Sequence, residues 1–523
     1  MTGTWLLLRT FLRRDRWQLL CWSLGGALLY WSQAYSVDGL YTTQADFDRA
    51  AVTMESNLAF IAMIGPARAL NTIGGQVTWQ ATAFGAILAG LMSMFLVGRH
   101  TRAEEESGRD ELVRAQAVGR LAPMTAALLN ALIANVVYGA LVAFSLVAYP
   151  LAVADSVALG VGVTLCGWLF AGTALVAAQM TASTRGMYGL AGAFIGVAYA
   201  LRAVGDVGTP ALSWLSPIGW YQAMHAFSGL RWWPLLLLAV GAVGAVATAY
   251  AVFGRRDFGA GLLADRPGPE RAGPALRGSL GLAWRLQRGS VIGWTLGLFV
   301  GGLMFGSFGD DMSDLMGDSE LSRDMFLQGM ANLVDGFYAA SIVMLALIAS
   351  GFAVSSALRP RGEENEGRIE SVLATAVPRR GWLLGQVAVT VTGTLLVLVA
   401  TGVGLGVGYA LVAEDPDALT RFMVPTLTYV APVLVLSGLA RLLVGAVPRW
   451  ASLAWLPLVL ASVVMLFGDL LKLPQWFQDL SPFEHLALVP AEGFRWAPFL
   501  ALTALALALS LAGQVAFSRR DIH

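Results

Sequence analysis

The sequence predicts an all-α polytopic membrane protein of twelve transmembrane helices, arranged as two parallel six-helix pseudo-repeats. Three observations predict it. Hydrophobic residues make up 57% of the 523 positions and charged residues 13%, about half the charged share of a soluble domain. Apolar stretches near the roughly 20 residues needed to cross a bilayer recur twelve times. The polar segment 102–120 returns at 361–379 with 11 of 19 positions identical, the self-similarity of a tandem repeat. A membrane β-barrel is excluded because its period-two alternation is absent. Open strands would leave unpaired backbone groups in lipid.

Segment 4–17 mixes Leu, Trp and Phe with Arg at helical spacing and reads as an amphipathic helix lying on the cytoplasmic leaflet. Spans follow near 18–37, 76–98, 122–149, 156–180, 186–203 and 233–253. The Gly- and Pro-rich stretch 258–276 reads as a cytoplasmic linker, giving a first half 1–257 and a second half 277–523. Segment 276–288 repeats the amphipathic pattern. The second set of spans lies near 290–308, 333–357, 381–411, 422–445, 450–468 and 496–517. An even number of spans per half gives both halves the same orientation.

Shorter matches extend the repeat. Leu-Ser-Pro at 215–217 returns at 480–482, Arg-Trp-x-Pro at 231–234 returns at 495–498, and Arg-Arg-Asp at 255–257 returns at 519–521. Ser216-Pro217 and Ser481-Pro482 suit an N-cap followed by Pro at the first helical position, starting short helices on the outer face. Orientation follows from arginine. Arg9, Arg13, Arg14 and Arg16 precede the first span, Arg99 to Arg120 follow the second, and Arg359 to Arg380 flank the same place in the second half. Loops of opposite parity are acidic, as at Asp310, Asp311, Asp314, Asp318, Glu320 and Asp324. Both termini and both polar motifs are therefore expected in the cytoplasm.

The motif pairs Glu104 with Glu363, Glu105 with Glu364, Gly108 with Gly367, Arg109 with Arg368 and Glu111 with Glu370. On one continuous helix Glu104 and Glu111 share a face, as do Glu363 and Glu370. Val113, Ala117, Val372 and Ala376 would form a small apolar stripe beside them. A solvated juxtamembrane loop, whose charge pairs stabilise little, is the plain alternative for either copy alone. Retention of the spacing in two otherwise diverged halves favours a docking element for a partner in the water phase.

The pattern E-x-x-x-G-x-x-E, followed by small and apolar residues and then Pro-Arg at Pro378-Arg379, resembles the cytoplasmic coupling segment of ABC type-2 permeases. The twelve-span duplication with its Leu-Ser-Pro and Arg-Trp-x-Pro elements resembles, over essentially the whole chain, the fused permeases of actinobacterial polyketide-antibiotic exporters. The resemblance implies a coupling helix between the second and third spans of each half. It makes Glu104, Glu105, Gly108, Arg109, Glu111, Glu363, Glu364, Gly367, Arg368 and Glu370 the contacts for an ATPase. Two departures stand out: the family has Thr after the Gly where this chain has Arg109 and Arg368, and the first copy has Gly119 where the second has Pro378. The resemblance further implies a bacterial plasma-membrane permease that exports hydrophobic or amphiphilic compounds such as antibiotics by alternating access.

A P-loop needs a lysine after its Gly-rich turn. The lone lysine, Lys472, sits in DLLKLPQW. ATP and Mg are therefore assigned to a separate P-loop ATPase, expected as a homodimer, with no cofactor bound by this chain. Zero net charge implies no nucleic-acid partner. The acidic stretch 310–324 lacks the spacing of a calcium loop, and His100, His225, His485 and His523 lack zinc spacing. Cys21 and Cys166 read as small buried hydrophobes. Arg441 either faces the interior as part of a pathway or snorkels to the interface. Trp31, Tyr35 and Trp79 either line a substrate path or form interfacial belts. An ion-coupled secondary transporter is the alternative function; it calls for carboxylates within spans, whereas here they concentrate in loops.

Overall fold

The computed structural model describes all residues except 1, 42, 57, 258, 264–269, 272, 308–332, 414, 416, 468–472 and 521–523. The acidic stretch 310–324, Lys472 and His523 lie outside the described residues, as does part of the linker 258–276. The chain divides into two units, Met1–Gly268 and Pro269–His523. Among the described residues the regular structure is helical throughout, with no β-strand.

The first unit is built on α1 (Thr4–Leu40), α2 (Ile73–His100), α3 (Ala122–Ala148), α4 (Val153–Met180), α5 (Thr184–Val207) and α6 (Pro234–Phe253). The second is built on α7 (Ser279–Gly306), α8 (Leu333–Asn365), α9 (Arg379–Ala413), α10 (Val430–Ala446), α11 (Leu456–Phe467) and α12 (Trp496–Arg519). Eleven helical stretches among the described residues are long and apolar enough to cross a membrane, making this a multi-pass membrane protein. The helix outside that set is α1, whose apolar run is diluted by Trp22, Tyr30, Trp31, Ser32 and Gln33.

Within each unit the packing follows one scheme. In the first, α1 packs on α3, α2 on α4, and α4 on α6; in the second, α7 packs on α9, α8 on α10, and α10 on α12. The central helices α2 and α8 are the most buried, while α6 and α12 expose most of their apolar residues. Leu236, Val240 and Val243 on α6, and Leu500, Leu507 and Leu511 on α12, are exposed side chains of this kind. Helices covered by lipid instead of protein keep such faces apolar.

In the second unit the tightest pair is α7 with α9. Gly302 and Gly306 on α7 lie against the backbone of Thr401 and Leu405, and Gly404 and Gly408 on α9 lie against Phe299 and Leu303. A Cβ at any of these four glycines would meet main-chain atoms. Two small-xxx-small faces therefore interlock, which brings the backbones close enough for dispersion to hold the helices where no hydrophobic effect operates between them.

Several expectations need correction. The segments 4–17 and 276–288 are not separate surface helices: residues 4–17 form the first turns of α1, and residues from Ser279 form the start of α7. Nothing between Arg14 and Trp17 breaks a helix, so α1 continues for 37 residues, about 55 Å at 1.5 Å per residue. The region 38–75 receives no structure from the sequence alone. It holds the helices Gln44–Ser56 and Leu58–Met63. Cys166 is buried as expected, but Cys21 is exposed. Ser216 caps the helix Pro217–Gln222 through the amides of Ile218 and Gly219. Ser481 accepts from the Phe483 amide in a turn that forms no helix.

Arg441 faces inward, donating to Ser510 Oγ at 2.6 Å and Ser437 Oγ at 3.3 Å, so it does not snorkel. Trp31 and Tyr35 are exposed and stacked on each other at 5.4 Å. Trp79 is buried and donates to the Gly65 carbonyl at 2.7 Å.

Gly306→Val and Gly404→Val should each force α7 from α9 and destabilise the second unit by about 1–3 kcal/mol or more. Thermal unfolding of the detergent-solubilised protein should register the loss, while Gly297→Val, at a position with open space around its Cα, should leave the unfolding temperature nearly unchanged.

Candidate functional site

The duplicated motif begins at the end of α2 in the first unit and on the last turns of α8 in the second. It does not form the single coupling helix expected from its spacing. In the first unit it folds as two short helices, Arg102–Glu106 and Arg109–Arg114; in the second, α8 ends at Asn365 and a short helix Arg368–Leu373 follows. The break falls on the shared glycine. Gly108 has φ 72° and Gly367 has φ 67°, a left-handed conformation that glycine adopts without the Cβ penalty. The chain bends there into an elbow, so Glu104 and Glu111 do not share a helical face, nor do Glu363 and Glu370.

The bend is braced by the motif's own charges. Arg109 Nε donates to Glu104 Oε2 at 2.7 Å, and Arg368 Nε donates to Glu363 Oε2 at 2.7 Å. Arg368 also pairs with Glu366. The arginine that replaces the family's threonine thus bridges the two arms of the elbow in both units.

The second carboxylate of each motif is tied elsewhere. Glu105 is bonded by Arg256, with Nη2–Oε1 at 2.5 Å, and by Arg102 at 2.9 Å. Glu364 is bonded by Arg520 at 2.6 Å and by Arg361 at 3.1 Å. Arg256 and Arg520 are the middle residues of the repeated Arg-Arg-Asp, so the two sets of repeated residues are bonding partners. Both carboxylates are buried, as is Arg256. Arg256 also donates to Gln179 Oε1 at 2.7 Å, and Arg102 donates to the Ala178 and Ala260 carbonyls at 2.5 and 2.9 Å. A buried ion pair holds best when its remaining donors are satisfied; these bonds do that in the first unit, whereas Arg520 Nε in the second is buried with no partner among the described residues.

The foot of the second short helix differs between units. In the first it is Asp110, buried and paired with Arg114 at 2.6 Å. In the second the equivalent Ile369 is buried in an apolar cluster with Trp382, Leu383 and Phe517. Val113 and Val372 are half-buried while Ala117 and Ala376 are exposed, so the expected apolar stripe is not the buried face.

α1 is anchored to the first elbow. Arg14 donates to Glu104 Oε1 at 2.6 Å. The next residue, buried Asp15, meets His100 Nε2 at 2.5 Å, Asn130 Nδ2 at 2.9 Å and Arg99 at 3.1 Å, with Phe11 stacked on the imidazole at 3.9 Å. The second unit has neutral groups in the corresponding helices: Gln287 bonds Gln386 at 2.8 Å and Ser356 at 2.6 Å.

Against this frame, Glu111 and Glu370 stand apart. Both are exposed and make no side-chain bond among the described residues. Leu112, beside Glu111, is 72% exposed. Of the ten predicted site residues, Glu104, Glu105, Arg109, Glu363, Glu364 and Arg368 build the elbow, Gly108 and Gly367 bend it, and Glu111 and Glu370 point away from it. Sequence reasoning missed Arg14, Asp15, His100, Arg256 and Arg520. The signal for two of them was present, since Arg256 and Arg520 lie in a repeated motif whose purpose was not evident from spacing. Among the described residues no group of three or more His, Cys, Asp or Glu is placed to hold a metal ion.

A multi-pass helical protein whose two units each carry a charged elbow bonded to their last helix belongs, as a class, with transport permeases. Residues 276–518 match the family model of the multidrug efflux system permease Rv1217c, C-terminal domain. The whole chain is 38% identical to the multidrug efflux system permease protein Rv1217c of Mycobacterium tuberculosis, over 100% of this chain and 96% of that protein. The chain belongs to this family of efflux permeases, and is a transport subunit and not an enzyme.

Removing one partner from a buried pair leaves an uncompensated charge, so Arg256→Gln and Arg520→Gln should each destabilise their unit by about 3–5 kcal/mol. Hydrogen exchange should localise the loosening to the elbow and the end of α6 or α12. Arg13→Gln, an exposed arginine with no recorded bond, should cause neither change.

Proposed function

We propose that the chain is the membrane-spanning subunit of an ATP-driven exporter of hydrophobic or amphiphilic compounds, antibiotics among them. In this reading α1 is the twelfth span, the two units are parallel six-span repeats fused by the linker, and the elbows lie in the cytoplasm with both termini. Each elbow docks on one subunit of a separate P-loop ATPase dimer. Closure of that dimer on ATP and Mg displaces the elbows, and the helices bonded to them change the access of the substrate.

One observation carries the proposal: in both units the motif's carboxylates are bonded within the chain except for one exposed glutamate, Glu111 or Glu370. A surface loop with no partner needs no such bracing. The braced elbow presents a carboxylate in a fixed place, as a docking element must, since a rigid contact transmits displacement and a flexible one absorbs it. The bonds from Glu105 to Arg256 and from Glu364 to Arg520 give that displacement a route into α6 and α12. The family membership and the relative's role in multidrug efflux support the substrate class.

The double charge reversal Glu111→Arg, Glu370→Arg should weaken capture of the partner P-loop ATPase by about thirtyfold or more, the cost of misplacing charges at a docked interface being about 2–5 kcal/mol. Co-purification from membranes, with unfolding temperature as the control for intact structure, gives the measurement. Full capture of the ATPase by the folded double variant would overturn the docking role.

A further inference from the structure

At the end of the first unit away from its elbow, side chains from the spans hold a chain segment by its backbone. Tyr199 Oη donates to the Met63 carbonyl at 2.7 Å and Arg202 Nη2 to the same carbonyl at 2.8 Å. Gln222 Nε2 donates to Ile64 O at 2.7 Å, and Trp79 Nε1 to Gly65 O at 2.7 Å. These four side chains fix residues 63–65 just before Pro66, which lines a cavity of about 240 Å³. Arg68, Trp79, Asp206, Trp214, Gln222 and His225 contribute to its lining.

The charges around this cavity do not balance. Asp206 accepts from Ser213 Oγ at 2.6 Å and lies 3.6 Å from the fully buried Arg202, so its charge is matched. Arg68 and Arg231 are both exposed, and neither side chain makes an ion pair or hydrogen bond among the described residues. His225 sits between their fields at φ 55°, in a turn held where Asp155 accepts the Phe227 amide at 2.7 Å. Burial, with the charges of Arg68 and Arg231, pushes the His225 imidazole down to about 4. At neutral pH it is an uncharged group able to donate one hydrogen bond, and it adds no third cation to repel the other two.

Two further polar atoms are unmatched. Gln222 Oε1, an acceptor only, and Thr78 Oγ1, which can donate to an anion, are buried at the cavity and have no hydrogen-bond partner among the described residues. Buried polar atoms of this kind are few in folded proteins. The Trp79 and Trp214 rings supply apolar surface, and Trp214 is stacked on Trp233 at 5.3 Å, which holds its plane. Arg68 in the lining, Arg231 beyond it but near enough to act on His225, and the Trp79 and Trp214 rings are together complementary to an anion carried on an apolar body.

The second unit does not repeat this chemistry. Carried forward by the offset that superposes Ser216 on Ser481, Gln222 falls on Ala487 and His225 on Pro490. The repeat keeps Leu-Ser-Pro and Arg-Trp-x-Pro, so Arg231 has a counterpart in Arg495, whereas Gln222 and His225 are particular to the first half. Packing requirements common to both halves therefore do not account for Gln222 and His225.

We propose that this cavity binds the anionic group of a small amphiphile, such as an aromatic carboxylate. The site is separate from the elbows and does not depend on ATPase docking. The anion comes either from a free compound or from a lipid headgroup that reaches the same guanidiniums, and the test distinguishes these.

The full-length permease, without any ATPase, is placed in phosphatidylcholine nanodiscs and tested by equilibrium dialysis with 2-naphthoate and with its cationic counterpart 2-naphthyltrimethylammonium. The carboxylate should bind and the cation should not. The Arg68→Gln, Arg231→Gln double variant should bind naphthoate at least about tenfold more weakly, as expected for loss of charge-assisted hydrogen bonds. Arg285→Gln, Arg288→Gln should bind it as the unaltered protein does. Weaker naphthoate binding in phosphatidylglycerol nanodiscs identifies a lipid headgroup as occupant of the same anion site; unchanged binding identifies a free anion. No naphthoate binding, equal binding of the cation, or a folded Arg68→Gln, Arg231→Gln variant that binds like the unaltered protein would overturn the proposal.

Discussion

The buried carboxylate–guanidinium pair between the elbow and the last helix of each unit is the constraint on which the rest of the site depends. Glu105 with Arg256, and Glu364 with Arg520, join residues more than 150 positions apart in sequence. Each pair fixes the angle at which the polar segment leaves its span. Once that angle is set, the left-handed glycine turns the chain, and the arginine after it closes back onto the first glutamate. What remains unbonded is one carboxylate per unit. An isolated pair at a surface would add little; here the burial of both carboxylates makes the geometry strict, because neither partner has water to fall back on.

The units reach a common geometry with different side chains. Under the second short helix the first unit places Asp110 and Arg114, and the second places Ile369 against Trp382 and Phe517. Where α1 meets α2 and α3 the first unit uses Asp15, His100 and Asn130, while the corresponding helices of the second use Gln287, Gln386 and Ser356. The backbone requirement is retained, and the chemistry that meets it has drifted. This is the pattern expected when the backbone geometry is constrained while the means of support is free to vary.

Much of the architecture was legible in the sequence because hydrophobic length and repeated polar spacing are properties of local stretches. Spans from 76–98 through 496–517 fall on helices for this reason. The continuity of α1 was not legible, since its arginines suggested a surface helix and only the bonds of Arg14 and Asp15 to α2 and its elbow explain why the helix runs on. The elbow itself was misread as one helix because spacing of seven looks the same on either side of a glycine until its φ is known. The division of the motif into bracing residues and an exposed glutamate depends on partners far away in the chain, Arg256 and Arg520 above all. Their repetition was visible, but their pairing with Glu105 and Glu364 was not. The helices within 38–75 were overlooked because both are too short to span a membrane, and the carbonyl-holding roles of Tyr199, Arg202 and Gln222 depend on them.

α1 has a mechanical consequence. It is one unbroken rod of 37 residues, clamped at its base where Arg14 meets Glu104 and again near its tip, where Tyr149 Oη donates to Asp38 at 2.5 Å. Beyond the tip the chain continues through the helices Gln44–Ser56 and Leu58–Met63 to the carbonyls of residues 63–65, which the spans hold just before the cavity. A rod fixed at both ends cannot bend to absorb a push at its base; it must tilt or slide as a whole. Any tug on the first elbow is therefore delivered, within the stiffness of a single helix, to the far end of the same unit.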